Sequence, residues 1–369
     1  IYMFYFKIFF LSFISLSCSR IYLGSYDQVI FDEINQPNIL SDNIELWEDG
    51  LRTEGERNQY EWWYMDAKLD DGSVIVAYFY KVHFIKDRYF IGFNYTSPEG
   101  KEFFKLKYFK KSEVQFESDS CYVTMGENSF SGNLNKYKIR IDPIDFDGFG
   151  FDLVLTSNSS PYRPQDGIIT AGESYFAWLA AVPSGKINGS IIIDNENKSI
   201  SGSGYHDHNW GNIPLQRLFK SWTWFRGKAG PYTVIVAELN TVNNRGGFDI
   251  PILFVSKNEN IIVDKFGNRE LYTMKNSLIK NLYTKKNEPQ FSNFLITSDN
   301  NISVAITGID IIENINIFKR MKVPLPFRWA FSSSNIDPYY TRFSSNFTLK
   351  LNSGLEFEGK GIMEIMDLQ

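Results

Sequence analysis

The chain holds three histidines, and two of them flank an aspartate in Tyr205-His206-Asp207-His208-Asn209-Trp210-Gly211; the third is His83. Side chains alternate along an extended strand, so His206 and His208 share one face while Asp207 and Asn209 point to the other. Two imidazoles at this spacing can share a metal ion, but a site needs three or four ligands and no other His or Cys cluster completes one. No metal is expected. Two readings remain open. In the first, a buried Asp–His pair beside Trp210 satisfies backbone groups where two folding units meet. In the second, Asp207 is an acid, or the group that orients His208, in an aromatic pocket. Such a pocket disfavours the charged carboxylate, raises its pKa and leaves a proton to donate.

Two further carboxylates pose the same choice. Glu61 opens Glu61-Trp62-Trp63-Tyr64. It is either a proton donor in a hydrophobic cavity or the acceptor of turn amides in an aromatic plug. Glu238 interrupts the apolar residues 234–239, on the face of Val234 and Val236. It is either a functional acid or a sign that this face is wet. The catalytic candidates are therefore Asp207, His208 and Glu238. The candidate ligand pocket comprises Glu61, Trp62, Trp63, Tyr64, Tyr205, Trp210, Trp222 and Trp224. A Gly-rich phosphate loop, a nucleophile elbow and a Ser-His-Asp arrangement are all missing from the sequence, and no cofactor is expected. Gly202-Ser203-Gly204 reads as close backbone packing.

The elements that must position these residues are strands. Aromatic residues make up 17% of the 369, and abundant Phe, Tyr and Ile suit a pleated, half-buried surface. Residues 73–80 follow the turn Asp70-Asp71-Gly72, and Ser97-Pro98-Glu99-Gly100 separates strands at 89–95 and 103–109. Residues 137–141 alternate apolar and charged, and similar patterns recur at 233–239, 250–255, 291–297, 302–307, 343–351 and 355–365. No long stretch has a capped helical period. Charge is mixed, with a net of -5, and nothing resembles the basic face that nucleic-acid binding demands, so no nucleic-acid partner is expected.

A shift of 160 residues lays Glu61-Trp62-Trp63-Tyr64 over Ser221-Trp222-Thr223-Trp224, and Val74-Ile75-Val76-Ala77 over Val234-Ile235-Val236-Ala237. Repetition at a domain-sized interval implies two copies of one architecture. The expected organisation is an all-β protein with an N-terminal barrel over residues 46–215 and a C-terminal barrel over 216–369.

Near the start, Lys7 precedes an uncharged apolar run over residues 8–17 and then Cys18. The run is too short to span a bilayer and fits a signal peptide over residues 1–18. A Cys in that position suggests bacterial lipoprotein processing, although Ser15 stands where a strict lipobox has Leu. Residues 19–45 are polar and read as a linker. The expected location is the cell envelope, with acylated Cys18 as the membrane anchor. Cys121 would then be the remaining cysteine, without a disulfide partner.

With these residues assembled, the chain resembles the carotenoid 1,2-hydratase (hydroxyneurosporene synthase) and AttH-like family. The resemblance rests on Glu61-Trp62-Trp63-Tyr64, the Gly185…Gly189 segment leading to Ile191-Ile192-Ile193-Asp194, the block from Gly202 to Gly211, Trp222-Thr223-Trp224-Phe225 and Gly359-Lys360-Gly361-Ile362-Met363-Glu364. It covers about residues 45–365. The resemblance implies two consecutive lipocalin-like barrels. It also implies an acid that protonates an isoprenoid double bond without a cofactor, water capturing the resulting cation and aromatic faces stabilising it. His208 and Trp210 match the family's His-x-Trp. Its downstream Tyr-x-Asp falls at Val236 and Glu238, so the tyrosine is absent and a glutamate stands for the aspartate. Related fungal proteins of this architecture guide pericyclic cyclisation. The expected partner is an apolar isoprenoid or lipid-like molecule. The competing class is a non-catalytic binding or envelope lipoprotein, in which the motif only locks two barrels together.

Overall fold

The computed structural model describes residues 43–83, 86–164, 167–171, 174–279, 290–320, 323–334 and 336–369. The expected signal peptide, Cys18 and most of the 19–45 linker lie outside them. The described chain is all-β, as its alternation predicts, with two nearly closed antiparallel barrels.

The first barrel is built from β1 (Tyr60–Leu69), β2 (Val74–His83), β3 (Asp87–Thr96), β4 (Glu102–Phe109), β5 (Val114–Phe116), β6 (Cys121–Met125), β7 (Asn128–Gly132), β8 (Lys136–Ile141), β9 (Gly150–Ser157), β10 (Ile168–Ala171), β11 (Ser174–Ile193) and β12 (Glu196–Gly211). After a short helix α1 (Leu215–Leu218) the second barrel follows. It contains β13 (Phe219–Ala229), β14 (Tyr232–Thr241), β15 (Asp249–Lys257), β16 (Asn260–Phe266), β17 (Leu271–Ile279), β18 (Gln290–Ser298), β19 (Ser303–Asn316), β20 (Tyr339–Lys350) and β21 (Glu356–Asp367). Helices α2 (Ile317–Arg320) and α3 (Leu325–Ser332) connect β19 to β20.

Both sheets wind the same way. The first runs β4-β3-β2-β1-β12-β11-β9-β8-β7-β6-β5, and the second β16-β15-β14-β13-β21-β20-β19-β18-β17. In each, the aromatic strand that opens the barrel pairs with the next strand on one side and with the last strand on the other. The 160-residue repeat thus corresponds to equivalent places in two like sheets.

Turn chemistry starts the hairpins that carry the site, and two register shifts in β11, between Leu179 and Val182 and between Val182 and Gly185, then set its pairing with β12 at the site. Asp194 and Asn195 both take positive φ (51° and 66°) between β11 and β12, the tight turn that joins antiparallel strands with the correct twist. The expected turns at Asp70-Asp71-Gly72 and Ser97–Gly100 also form, closed by Gly72 N–H to the Leu69 carbonyl (3.0 Å) and Gly100 N–H to the Ser97 carbonyl (2.9 Å). Gly202 is required by packing: a Cβ there would stand 2.3 Å from the Lys68 carbonyl oxygen of β1.

Alternation then sorts every side chain. Odd-numbered residues of β1 (Trp63, Met65, Ala67, Leu69) join Phe79, Phe93, Phe130 and Leu153 inside the first barrel. Val234, Val236, Phe225 and Phe343 fill the second. A third apolar cluster lies between the barrels and draws on the outer faces of both, including Tyr60, Phe176, Trp178, Tyr205, Phe219, Ala237 and Leu239.

Candidate functional site

The outer faces of β1, β12, β13, β14, β20 and β21 enclose an aromatic cavity at the junction of the two barrels. It has two lobes, of about 220 and about 420 Å³, which share the walls Trp62, Tyr64, Trp222, Tyr340, Glu364 and Met366. Tyr78, Tyr80 and Phe90 extend the larger lobe, whereas Trp178, Tyr205, Asp207, Asn209 and Trp224 line the smaller. The repeat explains the concentration of rings: Trp62 and Tyr64 of β1 and their counterparts Trp222 and Trp224 of β13 face the same space. A concave, mostly apolar space with a few converging polar groups is the usual form of a small-molecule site.

Asp207 supplies the acid of the smaller lobe. Its Oδ2 accepts hydrogen bonds from the Tyr205 hydroxyl (2.9 Å) and Trp178 Nε1 (3.1 Å), and its Oδ1 from the Asn209 amide (2.8 Å). Burial pushes the carboxyl up to about 6, while the bonds from Tyr205, Trp178 and Asn209 and attraction to His206 oppose that rise. The group therefore exchanges its proton near neutral pH in a mostly apolar wall.

His208 lies on the other face of β12, inside the first barrel. Its Nε2 meets Glu61 Oε1 at 2.8 Å and its Nδ1 meets the Glu48 carbonyl at 3.1 Å, so both ring nitrogens face acceptors. Trp63 stacks on the imidazole at 4.6 Å, and Trp210 packs at 4.7 Å. Glu61 also accepts the backbone N–H groups of Arg52 (2.7 Å) and Thr53 (2.9 Å) and the Thr53 hydroxyl (2.7 Å). His206 bonds the Tyr64 carbonyl through Nδ1 (2.8 Å) and reaches Asp49 Oδ2 through Nε2 (3.2 Å). Asp49 accepts the Tyr137 hydroxyl at 2.5 Å, and Glu48 pairs with Arg163 at 2.7 Å. All these charged groups are buried. Together they hold the short 3-10 turn Leu46–Asp49 and the residues after it in the end of the barrel.

The expected constellation therefore divides between two faces. Asp207, Trp62, Tyr64, Tyr205, Trp222 and Trp224 meet in the cavity. Glu61, Trp63, His208 and Trp210 meet in the barrel interior, where Glu61 serves turn amides. The suggested orientation of His208 by Asp207 does not occur, because neighbours on a strand point apart. Glu238 joins neither group. It faces the second barrel's interior, 2.9 Å from Lys275 Nζ, while its neighbours Ala237 and Leu239 line the cavity. His83 stands apart, bonded to Asp87 at 2.8 Å.

Several residues of the site escaped the sequence reading. Trp178, Tyr340, Arg342 and Glu364 come from strands remote in sequence, and no local spacing marks them. Asp66 and Arg226 were accessible: they continue the alternation of Trp62-Tyr64 and Trp222-Trp224, and they occupy matching positions of the repeat. They bond each other at 2.6 Å across the junction, with the Arg226 guanidinium 4.5 Å above the Tyr205 ring. Asp49, Cys121 and His206 also converge, one ligand atom from each lying within 4.8 Å of the others. Burial and the Asp49 carboxylate push the Cys121 thiol up.

Comparison with known proteins bears out the resemblance drawn from the motifs. A hydroxyneurosporene dehydrogenase of Chlorobaculum tepidum is 24% identical over 225 residues, which cover 51% of this chain and 58% of that protein. The matched part therefore spans little more than half the length of that relative. A Nitrosomonas europaea protein assigned provisionally as AttH superposes with a TM-score of 0.60 at 12% identity, covering 93% of this chain and 99% of its own. Kievitone hydratase of Nectria haematococca superposes at 0.55 with 12% identity, covering 93% and 97%. These similarities establish the tandem lipocalin-like fold. The model of the Diels-Alderase-like family matches residues 56–265, more than half of the sequence and all of the strands that carry the acid-bearing lobe up to β14, and the chain belongs to that family.

Proposed function

We propose that the chain binds an apolar, unsaturated molecule of isoprenoid or other lipid-like type between its barrels and acts on it by acid catalysis without a cofactor. The observation that carries this reading is Asp207, a carboxyl raised to about 6 that opens onto an aromatic cavity. In the hydration it supports, the Asp207 O–H bond breaks as a C–H bond forms at the less substituted carbon of an alkene. The resulting tertiary cation lies among the faces of Trp62, Trp222 and Trp224, which attract positive charge. Water adds to the cation, and the proton it releases restores the Asp207 carboxyl. Glu61 and His208, turned into the barrel, hold the frame and stay outside the reaction.

The same reading takes residues 1–18 as an export leader and Cys18 as an acylated membrane anchor in a bacterial envelope. Intact-mass measurement of the chain recovered from a bacterial membrane fraction checks it: a diacylglyceryl mass on Cys18 supports the anchor, and an unmodified Cys18 removes it.

For the chemistry, the full chain is incubated with squalene or another acyclic isoprenoid in ¹⁸O-labelled water. The expected result is an ¹⁸O-labelled tertiary alcohol, with turnover reduced at least ~100-fold in Asp207→Asn while binding persists. Equal labelling by wild type and variant would remove Asp207 as the acid. Binding without labelling would make the chain a carrier.

A further inference from the structure

The connection between β19 and β20 has properties that neither the barrels nor the acid site require. Ile317, Phe318 and Arg320 of α2, together with Ile336 and Pro338, line the larger lobe of the cavity. Phe318, Val323 and Phe331 form a small separate core, with Phe327 and Ile336 packed on it and the Phe318 and Phe331 rings 5.4 Å apart. That core uses the inward side of α3. The other side carries Leu325 and Trp329, four residues apart and so on one helical face, exposed to 56% and 73%. Scattered exposed apolar residues are ordinary, but here a leucine and a tryptophan share one face beside an apolar cavity.

Charge distinguishes this surface further. Between Glu313 and Asp337 the sequence carries four cations and no acid, in a chain whose net charge is -5. Arg320 is held by Glu313 and lies 3.5 Å from Glu102. Among the described residues, neither Lys319 nor Arg328 has a carboxylate partner; Lys319 is exposed, and Arg328 is half-buried with its Nε enclosed and unpartnered. Arg328 is three residues from Leu325 and so flanks the same helical face, and tryptophan and leucine with basic side chains near them are the combination that lies in the interface of an anionic bilayer.

We propose that α3, together with Lys319 of the preceding α2, docks on an anionic membrane surface and so places a wall of the interdomain cavity against the lipid phase. Leu325 and Trp329 enter the headgroup boundary, and Lys319 and Arg328 meet lipid phosphates. An apolar ligand would then move between bilayer and cavity without crossing water. This role is independent of whether Asp207 turns that ligand over, and also of any anchor at Cys18.

Sedimentation of the full chain with vesicles tests the proposal. Wild type is expected to sediment with phosphatidylcholine vesicles containing one-quarter phosphatidylglycerol, and much less with phosphatidylcholine alone or at high salt. The double variant Leu325→Ser/Trp329→Ser should lose about tenfold in affinity, as should Lys319→Glu/Arg328→Glu on the anionic vesicles. Circular dichroism matching wild type shows that both variants fold, and both retain the same N-terminus. Three results would overturn the proposal. Wild type could fail to sediment with anionic vesicles. Either variant could bind them as wild type does. Light scattering could show a wild-type dimer that Leu325→Ser/Trp329→Ser dissolves, which would make this face a contact between copies.

Discussion

Asp207 and His208 are adjacent in sequence and lie on opposite sides of a sheet. That separation follows from the period of two along a strand, which the sequence alone predicts. Which face meets the cavity is not local information, because it depends on where β13 and β21 dock. Asp207 has a consequence for stability as well as for rate. A carboxyl whose pKa rises on folding, here from 3.8 to about 6, binds its proton more tightly in the folded state. Its contribution is full below the unfolded value and is lost as pH rises through the folded one. Above pH 6 the ionised group therefore costs stability, at most about 3 kcal/mol for a two-unit rise, and about 1–2 kcal/mol with its cavity side open. Asp207→Asn should raise the Tm relative to wild type at pH 8 and lose that advantage by pH 4; thermal scans at the two values check this. If Asp207 is the acid, wild-type turnover should fall about tenfold per pH unit above 6.

Among the elements, the strands were legible and the inserted turn was not. Residues 73–80, an apolar and aromatic run after a turn, and residues 137–141, which alternate clearly, correspond to β2 and β8, and the Asp194-Asn195 turn joins β11 to β12. Residues 46–53, by contrast, carry Glu48 and Asp49 in a sequence that looks solvated. They are buried because His206, His208, Tyr137, Arg163 and Trp63 all await them inside the barrel, from elements up to about 160 positions away. No reading of local spacing anticipates that assembly. Glu61 fastens it. Glu61→Ala would leave the Arg52 and Thr53 amides and His208 Nε2 without an acceptor in a buried site, at a cost of about 3–5 kcal/mol. The expected outcome is a large drop in Tm together with new proteolytic cleavage around residues 46–53. An unchanged Tm would contradict the fastening role.

For the molecule as a whole, the 160-residue repeat was the most informative feature of the sequence. It placed Trp62 with Trp222 and Tyr64 with Trp224, and the fold turns these residues toward one cavity at the junction of two like barrels, the proposed ligand site. Asp66 and Arg226 clamp that junction. A double-mutant cycle with Asp66→Ala and Arg226→Ala should give a coupling of about 1–3 kcal/mol, and a value near zero would mean that the barrels are held by apolar packing alone. Among the described residues, Phe79, Phe130 and Leu153 pack inside the first barrel and Phe225, Val234 and Phe343 inside the second, and the ligand site proposed above is the space between them. Titration of the full chain with retinol, a polyene probe added from ethanol, tests that site through tryptophan fluorescence. The account predicts saturable quenching by one equivalent, weakened at least tenfold in Trp222→Glu and unchanged in Val234→Ala inside the second barrel. Quenching that survives Trp222→Glu at full affinity, or is lost in Val234→Ala instead, would contradict it.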